Sequence, residues 1–199
     1  MSIARYHEGS RRLQDRFDTR RIADRLDEAR YTDRIADDRR AFIEECDHFF
    51  LATADAEGRP DCSYKGGLPG FVRVTSPAEL AWPDYDGNGQ FRSLGNLLVN
   101  PNAGLLFVNW KQPRRLRVNG TVRVVADDPL LGTWPGAQLV VRLTVAQVFP
   151  NCPRYIHRVE RVETSVYVPR EGEDCPRPAW KDDPALADAL PERDRHPPR

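Results

Sequence analysis

A mainly β fold, an antiparallel barrel of about six strands with helices on its flanks, is what the sequence predicts. Three observations carry that expectation. From Phe49 onward the chain is cut into short apolar, β-prone runs separated by turn signals. Residues 114–125, "RRLRVNGTVRVV", alternate cleanly, with Leu116, Val118, Val122 and Val124 on one face and Arg115, Arg117, Asn119, Thr121 and Arg123 on the other. Few helical stretches separate these runs, so consecutive strands are joined by tight turns, as in an antiparallel barrel.

Residues 1–46 come first and are charge-dense and helical in character, with 11 Arg against 11 Asp and Glu. Leu13 and Phe17 share a face, as do Ile22 and Leu26, and Thr19 and Thr32 stand where helix N-caps are expected. So narrow an apolar stripe buries little alone. The segment is either a solvated arm or an arm that wraps a partner subunit. The strands follow: "FFLATAD" (49–55), the turn "AEGRP", the extended "DCSYKGG", then "GFVRV" (70–74) and "ELAW" (79–82) as a hairpin about "TSPA". "AGLLFVNW" (103–110), the alternating run 114–125 and "AQLVVRLTVAQVF" (137–149) complete the set. Two short helices are expected among them. One is "RSLGNLLVN" (92–100), stopped by Pro101; the other is "CPRYIHR" (152–158), with Asn151 as N-cap and Pro153 in the first turn. This gives an N-terminal arm over 1–46, a barrel domain over 47–168 and a Pro-rich, charged tail over 169–199. The tail reads as poorly packed except at Trp180, where a lone tryptophan suggests docking.

Composition narrows the function classes. The 199 residues carry 30 basic and 30 acidic side chains, so no global field points to nucleic acid or an acidic membrane. Cys46, Cys62, Cys152 and Cys175 are scattered, without a C-x-x-C pair or zinc spacing, as in a reducing compartment. No apolar run approaches a membrane span, and "MSIARYHEGSRR" lacks the apolar core of a secretory signal. A soluble, cytoplasmic protein is the expectation.

The stretch "DYDGNGQFRS" (84–93) admits two chemistries. Asp84, Asp86, Asn88 and Gly89 occupy positions 1, 3, 5 and 6 of a calcium loop. The bidentate Glu required at position 12 is Gly95, however, and position 9 is the cation Arg92. The alternative is an anion site. Arg92 and Ser93 open a helix whose free N–H groups and dipole favour negative charge, and a guanidinium grips phosphate oxygens in pairs. The glycines at 87 and 89 let the chain turn sharply enough to present them.

The order of the segments "FFLATADAEGRPDCSYKGGLPGFVRV", "LAWPDYDGNGQFRSLGNLLVNPNAGLLFV", "LRVNGTVRVV" and "VFPNCPRYIHR" resembles the flavin-binding split-barrel proteins of the pyridoxamine 5'-phosphate oxidase superfamily, over about residues 49–158. More narrowly it is similar to the branch of FMN-dependent enzymes within that superfamily. The resemblance implies a six-stranded antiparallel split β-barrel, a homodimer with FMN at its interface, and redox catalysis that passes a hydride from NAD(P)H to a small-molecule acceptor or to oxygen. It also gives Arg92 the role of phosphate ligand, at the family's spacing before Asn100-Pro101. The family's second cation falls on Ser93, a hydroxyl, so Lys65 or Arg73 is expected to compensate. The Arg-x-Val-Leu-Leu-Lys run of the pyridoxamine oxidases proper is not kept, which argues against pyridoxamine phosphate as the substrate.

On this resemblance the expected cofactor contacts are Lys65, backbone groups of Phe71, Val72, Arg73 and Val74 and of Trp82, Pro83 and Asp84, then Arg92, Ser93, Asn96, Arg117 and Arg154. Gly66, Gly67 and Gly70 are expected to let a flat ring pass close to the backbone. Lys65 reaches either a phosphate or a substrate carboxylate, and Arg117 with Asn119 otherwise reads as a solvated strand face. Cys152 and His157 are five apart with no third residue to orient the histidine, so no catalytic residue is assigned. Rivals on the same barrel are a deazaflavin (F420)-dependent reductase and a non-catalytic flavin or haem carrier; the latter would need an axial ligand from His7, His48, His157 or His196.

Overall fold

A computed structural model describes residues 6–195. Its centre is one antiparallel sheet of seven strands: β1 (His48–Ala54), β2 (Pro60–Gly66), β3 (Arg73–Ser76), β4 (Glu79–Tyr85), β5 (Asn102–Asn109), β6 (Arg114–Val125) and β7 (Ala137–Pro150), in the order β2-β1-β5-β6-β7-β4-β3. The count is seven rather than about six, one strand for each β-prone run of the sequence, and the expected hairpin sets Ser76 opposite Glu79. Pairing runs unbroken from β2 to β3, and among the described residues these two edges are not hydrogen-bonded to each other.

The sheet curls so that strands far apart in its order meet through their side chains. Phe49 of β1, fully buried, has its ring 5.4 Å from Trp82 of β4, 5.3 Å from Phe107 of β5 and 5.9 Å from Phe71. These rings join Leu51, Leu80, Leu105, Val118, Val141 and Leu143 in one core. The alternation of β6 places Leu116, Val118 and Val122 in that core, with Val124 packed against it. A register shift between Asn119 and Gly120 brings Gly120 so close to β7 that a Cβ there would lie 2.0 Å from the Thr144 carbonyl oxygen. On the opposite flank Arg142 of β7 holds Asp128 through two nitrogens, at 2.5 and 2.9 Å, and Glu79 at 2.6 Å. Those hydrogen bonds keep the Asp128 carboxyl below the usual carboxylate range and satisfy a guanidinium that is itself largely covered.

The N-terminal region divides. Helices α1 (Glu8–Arg16) and α2 (Arg20–Arg30) bury no residue and leave Leu13, Phe17, Ile22 and Leu26 exposed. Thr19 does precede α2, but Thr32 starts no helix. It bridges Val148 as an isolated β pair, and its hydroxyl donates to the Arg34 carbonyl. Helix α3 (Asp37–Glu45) begins five residues later and buries Phe42 and Ile43, so the packed body starts by Ile35 rather than after residue 46. Glu44 accepts from the Val74 amide, which caps the free edge of β3.

Two further expectations are corrected. The helix expected over 152–158 is absent; one Ile156 N–H to Pro153 carbonyl contact makes a single turn in an exposed, irregular segment, too short to nucleate a helix without packing. The tail is not loose throughout. Residues 178–195 are anchored to Asp86 in the loop after β4, with Lys181 only 6% and Leu190 only 5% exposed. No helix among the described residues is long and apolar enough to cross a membrane.

The tight crossing at Gly120 gives a direct test. Gly120→Ala forces a methyl into backbone and should cost about 1–3 kcal/mol in urea unfolding. Gly87→Ala, where a Cβ meets nothing within 4 Å, should stay within about 0.5 kcal/mol of wild type. Equal midpoints for the two variants would contradict the register described.

Candidate functional site

The alternation of β2 sets Asp61, Ser63 and Lys65 on one face. Because the sheet curls, that face looks toward the end of β4 and the start of helix α4 (Arg92–Val99). A cavity of about 820 Å³ lies between them, lined by Asp61, Ser63, Lys65, Asp84, the loop 85–91, Arg92 and Ser93, and covered by Trp180, Leu186, Leu190 and Arg193 of the tail.

Loop geometry aims the helix. Gly89 lies at φ +74, a conformation open to glycine, and Phe91 at φ 47, ψ 30 is in the left-handed region that an aromatic residue rarely adopts. Phe91 provides no side-chain cap, so the first-turn N–H groups of α4 are left to other acceptors. The Ser93 hydroxyl lies 3.0 Å from Ser63 Oγ and 3.4 Å from Asp61 Oδ2; it donates to the carboxylate and accepts from Ser63. Arg92 is exposed and has no hydrogen-bond or ion-pair partner among the described residues. Lys65 Nζ is 3.9 Å from Asp84 Oδ1. Burial raises the pKa of Asp84, the nearby Lys65 ammonium opposes that, and Asp86 adds to it.

The acidic residues of this loop do not converge as calcium ligands. Asp86 accepts from Lys181, Gln138 and Arg193, and the Asn88 side chain accepts from the Gln90 amide. Asp84 stands apart beside Lys65.

Of the positions expected to contact a cofactor, Lys65, Asp84, Arg92 and Ser93 line this cavity. The others are not among the residues lining it. The side chains of Phe71, Val72, Val74 and Trp82 are buried in the core, and Pro83 is buried opposite Val140 in the β4–β7 ladder. Arg73 donates to Thr133 Oγ1 at 2.5 Å and lies over the Trp134 ring at 4.2 Å, so it is not the compensating cation at this cavity. Asn96 donates to Thr53 Oγ1. Arg117 is half-buried, 5.8 Å over the Phe149 ring, and Arg154 is exposed beside Tyr155. At Gly66 and Gly67 the close approach is made by the protein's own rings, Tyr64 and Phe71.

Sequence reasoning missed Ser63, Asp61 and the tail residues. Ser63 was legible in one respect, since it shares the parity of Lys65 on β2. The tail residues gave no local signal of where they dock.

A second hollow, about 560 Å³, holds His48. Trp110 Nε1 donates to His48 Nε2 at 2.9 Å, so the ring proton is on Nδ1, facing Asp47 Oδ1 at 2.6 Å. Asp47 is also paired with Arg161. Both nitrogens of His48 are therefore engaged within the fold. His7 and His157 are exposed, and His196 lies outside the described residues. Cys152 and His157 are both exposed on the irregular segment after β7.

Several solved structures resemble parts of this chain. HupZ from Group A Streptococcus is 18% identical, with 63% of this chain covering 99% of it at a TM-score of 0.48. The haem storage protein HutZ from Vibrio cholerae is 20% identical, with 58% of this chain covering 94% of it at a TM-score of 0.44. An FMN-binding protein from Syntrophomonas wolfei is 11% identical, with 70% of this chain covering 96% of it at a TM-score of 0.42. Among curated proteins nothing matches. The family model described as pyridoxamine 5'-phosphate oxidase matches residues 35–152, which begins where the packed core begins at Ile35 and extends through β7. That stretch is more than half of the sequence, and the chain belongs to the pyridoxamine 5'-phosphate oxidase family.

Proposed function

We propose that the chain binds FMN in the cavity at the mouth of α4 and acts as an FMN-dependent oxidoreductase on a small molecule, with NAD(P)H as electron donor. The observation that carries this reading is the pair of hydroxyls, Ser63 and Ser93, set 3.0 Å apart beside the unpartnered Arg92 and the open first turn of a helix. Such a set fits a phosphate monoester: two hydroxyls that can turn from their present acceptors onto the ligand, backbone N–H groups and a guanidinium with free donors. Lys65, adjoining on the same strand face, adds a fourth donor type. When bound, FMN supplies the two-electron chemistry, and this chain's residues anchor and orient it.

Asp61 and Asp84 oppose an anion here, and their placement says how the site tolerates one. Asp61 accepts a hydrogen bond from Ser93 and Ser63 donates to Ser93, so each hydroxyl turns from a partner within the fold to donate to a phosphate. Lys65 and Asp84 both line the cavity, so Lys65 can exchange a carboxylate 3.9 Å away for a phosphate. A homodimer is part of the proposal. It is supported by the outward-facing Tyr64 on β2 and by Leu13, Phe17 and Ile22, which α1 and α2 leave uncovered.

Titration of FMN, followed by flavin absorbance and thermal shift, tests the reading. A yellow stoichiometric complex that NAD(P)H reduces and dissolved oxygen reoxidises is expected. Arg92→Ala should weaken FMN by about 1.5–3 kcal/mol, the worth of a charge-assisted contact. Absence of FMN binding, or preference for a deazaflavin in a competition titration, would contradict it.

The raised pKa of Asp84 gives a separate, pH-dependent expectation. A carboxyl whose folded pKa is raised contributes stability that is full below its unfolded value and is lost as pH rises through the folded value. Asp84→Asn removes that loss. Its Tm relative to wild type should therefore be more favourable at pH about 7 than at pH about 3.5, where both folded and unfolded carboxyls are largely protonated. A Tm difference that does not change with pH would show that Asp84 is not held in this environment.

A further inference from the structure

The C-terminal segment lies outside the residues that the family model matches, and yet it forms one side of the cavity. A buried ammonium fastens it. Lys181 Nζ is 2.7 Å from Asp86 in the loop before α4 and 2.9 Å from Asp194 in the tail itself. Arg177 donates to the Lys181 carbonyl and to Asp182, and Arg195 Nε donates to the Leu190 carbonyl, so the segment is tied internally as well. Leu190, buried, seats it against the wall.

This docking presents Arg193 to the cavity. One terminal nitrogen of Arg193 donates to Asp86 Oδ1 at 3.0 Å, while its Nε is 4.0 Å from Asp194, beyond hydrogen-bond reach. Its side chain is 61% exposed. A guanidinium has five N–H donors, so most of its donors remain free. Lys181 also serves both carboxylates, so Asp86 does not depend on Arg193 alone. Of the two cations that the sequence offered to compensate for the hydroxyl at 93, Arg73 is committed to Thr133 and Trp134, and Lys65 is shared with Asp84.

We propose that residues 178–194 are a built-in wall of the ligand site, in which Arg193 is the second cation for the ligand's phosphate and Lys181 is the positioning residue that holds it there. The inference rests on the FMN reading above. It makes the tail part of the binding machinery rather than an appendage, and it predicts that phosphate-bearing ligands gain from the tail where their dephosphorylated forms do not.

The test titrates FMN and riboflavin, which lacks the phosphate, into the full-length wild type and three variants. Arg193→Ala should weaken FMN about tenfold and leave riboflavin unchanged, and Arg193→Lys should recover part of the loss. Lys181→Met should weaken FMN similarly and make the tail more sensitive to chymotrypsin. Arg193→Ala that binds FMN like wild type, or that weakens FMN and riboflavin equally, overturns the assignment of Arg193 while the FMN reading stands. Lys181→Met with unchanged protease resistance and FMN affinity overturns its positioning role. A wild type that binds neither flavin overturns both proposals together.

Discussion

The contact on which the rest depends is Phe49 packed at the same time against Trp82, Phe71 and Phe107. β1 and β4 are separated by three other strands in the sheet, so these rings meet only because the sheet curls around them. Burying an aromatic ring of this size contributes about 3–5 kcal/mol, judged by the cost of truncating one to alanine. That curl carries β2, the neighbour of β1, across to the end of β4. Without it Ser63 and Lys65 would be a sheet's width from Asp84 and Ser93. The site is thus a consequence of core packing rather than of a local motif.

Charge in the site is close to balanced, and the balance is local. Asp86 and Asp194 are matched by Lys181 and Arg193, and Asp84 by Lys65. Asp61 is engaged by a hydroxyl, and Arg92 has no partner among the described residues. Selectivity for an anion would therefore come from directed donors, with little help from a broad positive field. The same economy separates the two hollows of the molecule. His48, in the second, has its nitrogens tied to Trp110 and Asp47, whereas the first keeps donors open toward its interior.

Much of this was legible in the sequence, for identifiable reasons. Period-two alternation along 114–125 and the short β-prone runs gave the strands, because side-chain parity is a local property. The pairing of Arg92 and Ser93 with a helix start was legible because glycine and proline punctuate that stretch. Other features depend on contacts between residues far apart in the chain. Arg73 reads as a free cation until Thr133 and Trp134 are seen beside it. The tail reads as solvated from its prolines and charges, and only the Asp86–Lys181–Asp194 pairing reveals that it is seated. "NCPRYIHR" has helix-start chemistry, but too little to pack against, so it remains one turn. Phe91 in the left-handed region has no sequence signature at all.

The central claim is that an anion is held where β2 meets the first turn of α4. A crystal structure of the full-length protein grown with FMN tests it most directly. The account predicts the phosphate within hydrogen-bond distance of both Ser63 Oγ and Ser93 Oγ, with the Arg92 guanidinium turned onto it. FMN bound with its phosphate away from these hydroxyls would contradict the account.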